Sequence, residues 1–197
     1  MHAILQMIIK MSAVALAVLF TTTISARART QSEASLCSQQ VLPVELQNRL
    51  KADFPSSKVQ EPSNLSQRAR DRWRDEKPLA CPGIASGQFE SKNQISYAIL
   101  LVPTKNPDSA YRLLVLTPGV GSSANSLRVI DQWDKGGASN NFIHTIQISK
   151  VFSKEWIRKL QLKTNEGILS VDSGENEYGV EVYFLANGQY RHEPIDY

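Results

Sequence analysis

Apolar residues recur every four positions through residues 42–54, at Leu42, Leu46, Leu50 and Phe54, which is the spacing of one helix face. Pro43 suits the first turn of a helix and Pro55 stops it, so the pattern predicts a helix over 42–54. A polar connector follows, with room for a short strand at 58–60. A second helix is predicted over 66–76 (SQRARDRWRDE), with Ser63 or Ser66 as its N-cap and Trp73 turned to the core. Arg68, Arg70, Arg72 and Arg74 alternate, so they fall on two sides of that helix and form no basic face.

After Cys81-Pro82-Gly83 the pattern changes to strands. Apolar-rich segments at 84–89, 94–102, 110–116, 127–133, 142–149, 168–172, 180–185 and 189–193 are separated by clusters of Gly, Pro, Asn and Ser. Asn187-Gly188 is the dipeptide of a two-residue hairpin turn. Residues 151–162 are ambiguous, with a helical turn expected after Ser153. The ordering predicts an α+β fold in which two N-terminal helices are followed by one antiparallel β-meander sheet.

Upstream, residues 11–20 (MSAVALAVLF) form an unbroken apolar stretch behind Lys10, and Ala26-Arg27-Ala28 fits a signal-peptidase site. A helix of that length spans about 15 Å, half the hydrocarbon core of a bilayer. Residues 1–28 are therefore expected to be a cleavable signal peptide, 29–36 a flexible leader and 37–197 a single globular domain, with no stable membrane insertion after cleavage. The expected location is periplasmic or secreted. Cys37 follows Leu36 and stands well beyond the apolar stretch, which argues against lipidation. Removing Lys10 and Arg27 brings the net charge of +3 close to neutrality, so nothing electrostatic points to nucleic acid or anionic lipid.

Two cysteines, Cys37 and Cys81, remain. In an oxidising compartment an isolated pair is expected to form a disulfide, closing a loop of about 45 residues worth about 4 kcal/mol. A nucleophilic or redox thiol is the alternative, but neither cysteine has a C-x-x-C neighbour or an adjacent His.

Residues 87–100 (GQFESKNQISYAIL) resemble the FG-GAP hairpin of integrin-α and related β-propeller repeats, with Gly87, Phe89, Tyr97, Ala98 and Ile99 on the framework positions. The resemblance implies a β-hairpin. In that family loop acids bind calcium, whereas the corresponding positions here are Gln88, Glu90, Lys92 and Ser96, and one carboxylate beside a lysine does not make a calcium site. The layout of signal, two helices, Cys-Pro-Gly and meander also resembles small exported bacterial proteins, which implies compartment and fold class but carries no activity.

Other motifs lack their context. Gly119 to Ala124 (GVGSSA) matches a dinucleotide fingerprint, but the following segment reads as a strand where a helix is required. His144 and His192 lack zinc-site spacing. Ser122 or Ser123 with His144 and Asp131 or Asp134 could compose a triad, and Asp172 with Glu175 or Glu177 a carboxylate pair, but no motif selects them. Trp73, Trp133, Trp156, Tyr97, Tyr111, Tyr183 and Tyr190 could line a groove or simply fill the core. Asn64-Leu65-Ser66 is a glycosylation sequon in a eukaryotic source. No catalytic residue, metal ligand or cofactor is assigned.

The expected function is thus an exported, non-catalytic binding module for a secreted or envelope protein or another envelope component, an immunity protein or inhibitor being one form. A secreted hydrolase with a scattered active site is the alternative. In a meander alternate connections share an edge, so loops 103–109 and 135–141 should lie together, opposite 118–126. Recognition favours loops, and Gly and Asn make 135–141 flexible by composition. Asn106, Asn140 and Asn141 are therefore the tentative binding-loop residues.

Overall fold

Strands that are apolar on both faces need cover on both sides, and this requirement organises the molecule. A computed structural model describes residues 36–37, 42–77, 79–119, 124–174 and 179–195, all within one compact unit, Leu36–Tyr197. Residues 1–28, where the signal peptide is expected, lie outside the described residues, as do 120–123 and 175–178.

The elements run α1 (Val44–Asp53), β1 (Ser57–Val59), α2 (Gln67–Glu76), β2 (Ile84–Ser91), β3 (Gln94–Pro103), β4 (Tyr111–Thr117), β5 (Ser126–Trp133), β6 (Asn141–Gln147), α3 (Lys154–Leu160), β7 (Glu166–Asp172), β8 (Gly179–Ala186) and β9 (Gln189–Pro194). The fold is α+β with antiparallel pairing, but the single meander is replaced by two sheets. In the first, β1 and β2 both pair with β3, followed by β4 and β5; the second runs β6-β7-β8-β9. Two helices followed by a meander is also too simple a description, since β1 separates α1 from α2 and α3 interrupts the second sheet.

The physical reason is visible in β3 and β4. Ala98 to Val102 and Leu113 to Leu116 are buried without a break, so one-sided cover cannot satisfy them. Ala85, Phe89, Ala98, Leu100, Leu113 and Val115 face Ile143, Ile168 and Tyr183 of the second sheet. On the outer face of the first sheet, Leu46 and Leu50 of α1 pack over Ile84, Ile99, Leu101, Leu114 and Leu116. On the outer face of the second, Ala69 and Trp73 of α2 and Trp156 of α3 cover Phe142, Leu169, Val182 and Phe184. The result is four layers: helix, sheet, sheet, helices.

Local signals act as the residue types require. Ser66 caps α2 by accepting the Ala69 N–H at 3.3 Å, and Ser153 caps α3 by accepting the Trp156 N–H at 3.2 Å. Trp156 lies flat on Phe152 at 4.0 Å between ring centroids and edge-on to Phe184 at 5.1 Å. The turn at Asn187-Gly188 has φ of 53° and 80°, as a two-residue hairpin needs. Cys37 and Cys81 form a disulfide, which ties the start of the described chain to the turn before β2. Among the described residues no helix is long and apolar enough to cross a membrane. A disulfide-bonded chain of this kind is compatible with export.

Candidate functional site

Register places a set of polar side chains on the outer face of the first sheet where α1 has run out. Val59, Leu101, Arg112 and Gln132 form one cross-strand row, since Val59 pairs with Leu101, Leu101 with Arg112, and Arg112 with Gln132. Two residues further along, Ser57 pairs with Pro103, and Ala110 and Asp134 follow directly on the Tyr111–Trp133 pair. Helix α1 ends at Asp53 and Phe54, which cover the Val59 and Leu101 part of the first row, and a cleft of about 230 Å³ opens beyond it, lined by Ser57, Leu101, Pro103, Ala110, Arg112, Gln132 and Asp134, with Tyr111 and Trp133. The Arg112 guanidinium rests 6.0 Å from the Phe54 ring centroid. Trp133 is 47% exposed, its indole N–H donating to Gly136 O at 3.0 Å and the Lys135 ammonium lying 5.4 Å from its ring.

The cleft opens at the end of the sheet from which loops 103–109 and 135–141 emerge, and hydrogen bonds join those loops. The Gly136 N–H donates to Ser109 O at 3.0 Å and the Ala138 N–H to Asp108 O at 3.3 Å, while the Ser139 N–H donates to the Asp108 carboxylate at 2.9 Å. Hydrogen bonds from Ser139, side chain first, outweigh burial and hold the Asp108 carboxyl below its ordinary value.

Loop 135–141 is therefore a knitted corner, contrary to the flexibility its composition implies. Gly136 and Gly137 supply positive φ (84° and 81°) for a tight turn. Asn106 is exposed, its carbonyl accepting from Ser109. Half-buried Asn140 accepts the Ser173 N–H at 3.0 Å. Asn141 is 6% exposed; its amide donates to Gly137 O at 3.1 Å and its carbonyl accepts from the Gln60 side chain at 3.2 Å. Its side chain serves the fold.

The other sequence candidates are dispersed. Glu90 accepts from Thr117 at 2.6 Å and pairs with Arg128 at 3.3 Å, and Ser96 is buried beside Thr117. Ser122, Ser123, Glu175 and Glu177 lie outside the described residues. Asp131 is bonded within the seam between the sheets, whereas His144 stands on the outer face of the second, so the structure does not bring the two together as a triad.

That seam holds a cluster the sequence analysis missed. The Tyr183 hydroxyl lies 2.8 Å from both Asp131 Oδ2 and Glu181 Oε2, and the Tyr111 hydroxyl donates to the same Asp131 oxygen at 3.0 Å. His192 contacts Glu181 at 3.2 Å and stacks on Tyr183. Burial, reinforced by Asp131 and Glu181, pushes the Tyr183 hydroxyl far above its ordinary range, and burial with Asp131 does the same to Tyr111. Both stay neutral hydrogen-bond donors. The Asn187-Gly188 turn alone would have placed His192 opposite Tyr183, but it says nothing of Asp131.

A second cleft, about 240 Å³, lies at the C-terminal end of α2 and contains Glu76, Lys77, His144 and Lys150. His144 Nε2 is 3.3 Å from Glu76 Oε2, and Arg72 Nε donates to Glu76 Oε1 at 2.6 Å. Burial alone would raise the Glu76 carboxyl, but hydrogen bonds from His144 and Arg72 and their charges outweigh it, leaving the group below its ordinary 4.5. A depressed carboxyl stabilises the fold above its unfolded-state value and loses that contribution as pH falls through the folded value. Glu76→Gln should therefore lower the urea midpoint at pH 7, and the gap from wild type should close as the pH falls below the ordinary carboxyl value of 4.5 and through the lower folded value. A gap that stays constant with pH would show that Glu76 acts by packing alone.

Comparison with protein-family models, with curated proteins and with solved structures finds no match.

Proposed function

We propose that this chain is an exported binding module without catalytic chemistry, and that it grips a protein or another envelope component at the loop end of the first sheet. One observation carries the reading: α1 stops short and leaves a concave, polar patch beside two joined loops. The lining offers hydrogen bonds and one charge of each sign, while its only hydroxyl and carboxylate side chains besides Tyr111 are too far apart to act together. Ser57 on β1 and Asp134 after β5 are three strand spacings apart, about 14 Å, so they cannot act as nucleophile and base. The signal peptide expected over residues 1–28 and the disulfide support the compartment. An immunity or inhibitor protein remains one concrete form.

The test is capture of partners from the exporting compartment by the oxidised protein. Ala110→Trp, which fills the cleft floor, should abolish capture of partners retained by the wild type, with an unchanged thermal midpoint. Gln189→Ala, on the other sheet, should retain them. Capture undiminished by Ala110→Trp would overturn the reading. Replacing the whole 135–141 segment is a poor test, because Ala138 is fully buried and Asn141 begins β6.

The secreted-hydrolase reading is favoured by the carboxylates of Asp131 and Glu181 sharing one tyrosine hydroxyl, since retaining glycosidases use two carboxyl groups about 5–5.5 Å apart. Tyr183 between them is only 3% exposed, which leaves little room for a substrate at that point. Asp131→Asn would abolish any glycoside hydrolysis if this reading held.

A further inference from the structure

We infer that the cleft on the first sheet recognises a small carboxylate monoanion that also presents an N–H or O–H donor, with Arg112 as the anchor. This rests on the binding reading above and names its ligand chemistry.

The arginines of the described chain are mostly engaged. Arg49 pairs with Asp53, Arg72 with Glu76, Arg74 with Asp71 and Arg128 with Glu90, and Arg70 donates to the carbonyls of Pro62 and Leu65. Arg112 differs. It lines the cleft, its guanidinium lies 6.0 Å from the Phe54 ring centroid, and it makes no ion pair among the described residues. A guanidinium held by a ring keeps its N–H fork available and has less rotamer freedom to lose on binding, which is the arrangement that suits a planar carboxylate.

Charge narrows the ligand further. Asp134 lines the same cleft, one row along and one strand over from Arg112, a diagonal of about 7–8 Å. A phosphate dianion would set its second charge against that carboxylate. A carboxylate monoanion bearing a donor satisfies both: its oxygens face Arg112 and its N–H or O–H faces Asp134. Gln132, beside Arg112 in the row, can donate or accept for the linking group. The volume of about 230 Å³ limits the bound part to one residue of a peptide or one acidic sugar.

The experiment is a titration of the ¹⁵N-labelled, oxidised protein, as exported, followed by amide chemical shifts. The probes are acetyl-alanyl-alanine against its C-terminal amide, glucuronate against glucose, and inorganic phosphate. At least one acid should give saturable shifts at residues 112, 132 and 134, at least about tenfold tighter than its neutral counterpart and tighter than phosphate. The pair that responds identifies the source of the carboxylate. Arg112→Gln should remove the response. Equal binding of acid and neutral forms, tighter binding of phosphate, a response that survives Arg112→Gln, or no saturable shift with any probe would overturn the inference. The two proposals separate in partner capture. If Ala110→Trp abolishes capture and Arg112→Gln does not, the cleft remains the recognition site and the anion anchor falls. If neither variant affects capture, both fall.

Discussion

Gly83→Ala should cost about 3 kcal/mol or more, a large share of the 5–15 kcal/mol of a typical domain. A Cβ at Gly83 would sit 2.4 Å from Gln60 O, 2.8 Å from Gln60 N and 2.8 Å from Val59 Cγ1. Two of those neighbours are backbone atoms and cannot rotate away. They are held where two segments meet on one residue of β3, because the Gln60 N–H donates to Leu100 O at 2.8 Å and the Leu100 N–H to Gly83 O at 2.9 Å. Relieving the clash means giving up one of those bonds. Gly179→Ala is the control, its Cβ meeting, among the described residues, only Asp172 Cβ at 3.8 Å, and should leave stability within about 0.5 kcal/mol. Urea midpoints measure both. A Gly83→Ala midpoint equal to wild type would show that the connector and β2 can part without loss.

Opening the Cys37–Cys81 bridge should be of similar size, about 4 kcal/mol from the entropy of a closed loop of 44 residues. Cys81 is fully buried against α1 and the first sheet, while Cys37 and its neighbour Leu36 are half-buried and pack from outside, so the bond fastens these two residues to the core. Intact mass with and without reductant establishes the bond in protein taken from the exporting cell. Cys37→Ala with Cys81→Ala then reports its contribution as a fall in urea midpoint. A double variant as stable as the oxidised parent would place the stabilisation elsewhere.

The elements were legible because their signals are local. Leu42, Leu46 and Leu50 share one helix stripe, Ser66 and Ser153 cap where a hydroxyl precedes a helical stretch, and Asn187-Gly188 turns a hairpin. The number of sheets was also written in the chain, in a form periodicity does not decode. Residues 98–102 (AILLV) and 113–116 (LLVL) are continuous apolar runs, the pattern of strands covered on both faces, whereas a single meander with one wet face would alternate. The cleft was not legible. It depends on α1 stopping short of the end of its sheet and on Arg112, Gln132 and Asp134 meeting through register across separate strands. Gln60 was missed for a similar reason. It is fully buried, and its amide donates to Ala138 O at 2.8 Å and to Asn141 O. Nothing near it in the chain announces partners some 80 positions away.

The order of the layers differs from the order of the chain. Helix α2 is made before β2 to β5 of the first sheet, yet its buried face, Ala69 and Trp73, belongs to the second. A chain emerging from the N-terminal side can close α1 onto β2 to β5, but α2 has no surface to meet until Phe142, Leu169 and Phe184 have arrived. Here the last layer waits for nearly the whole chain, so the four-layer structure can be completed only after β8 has been made.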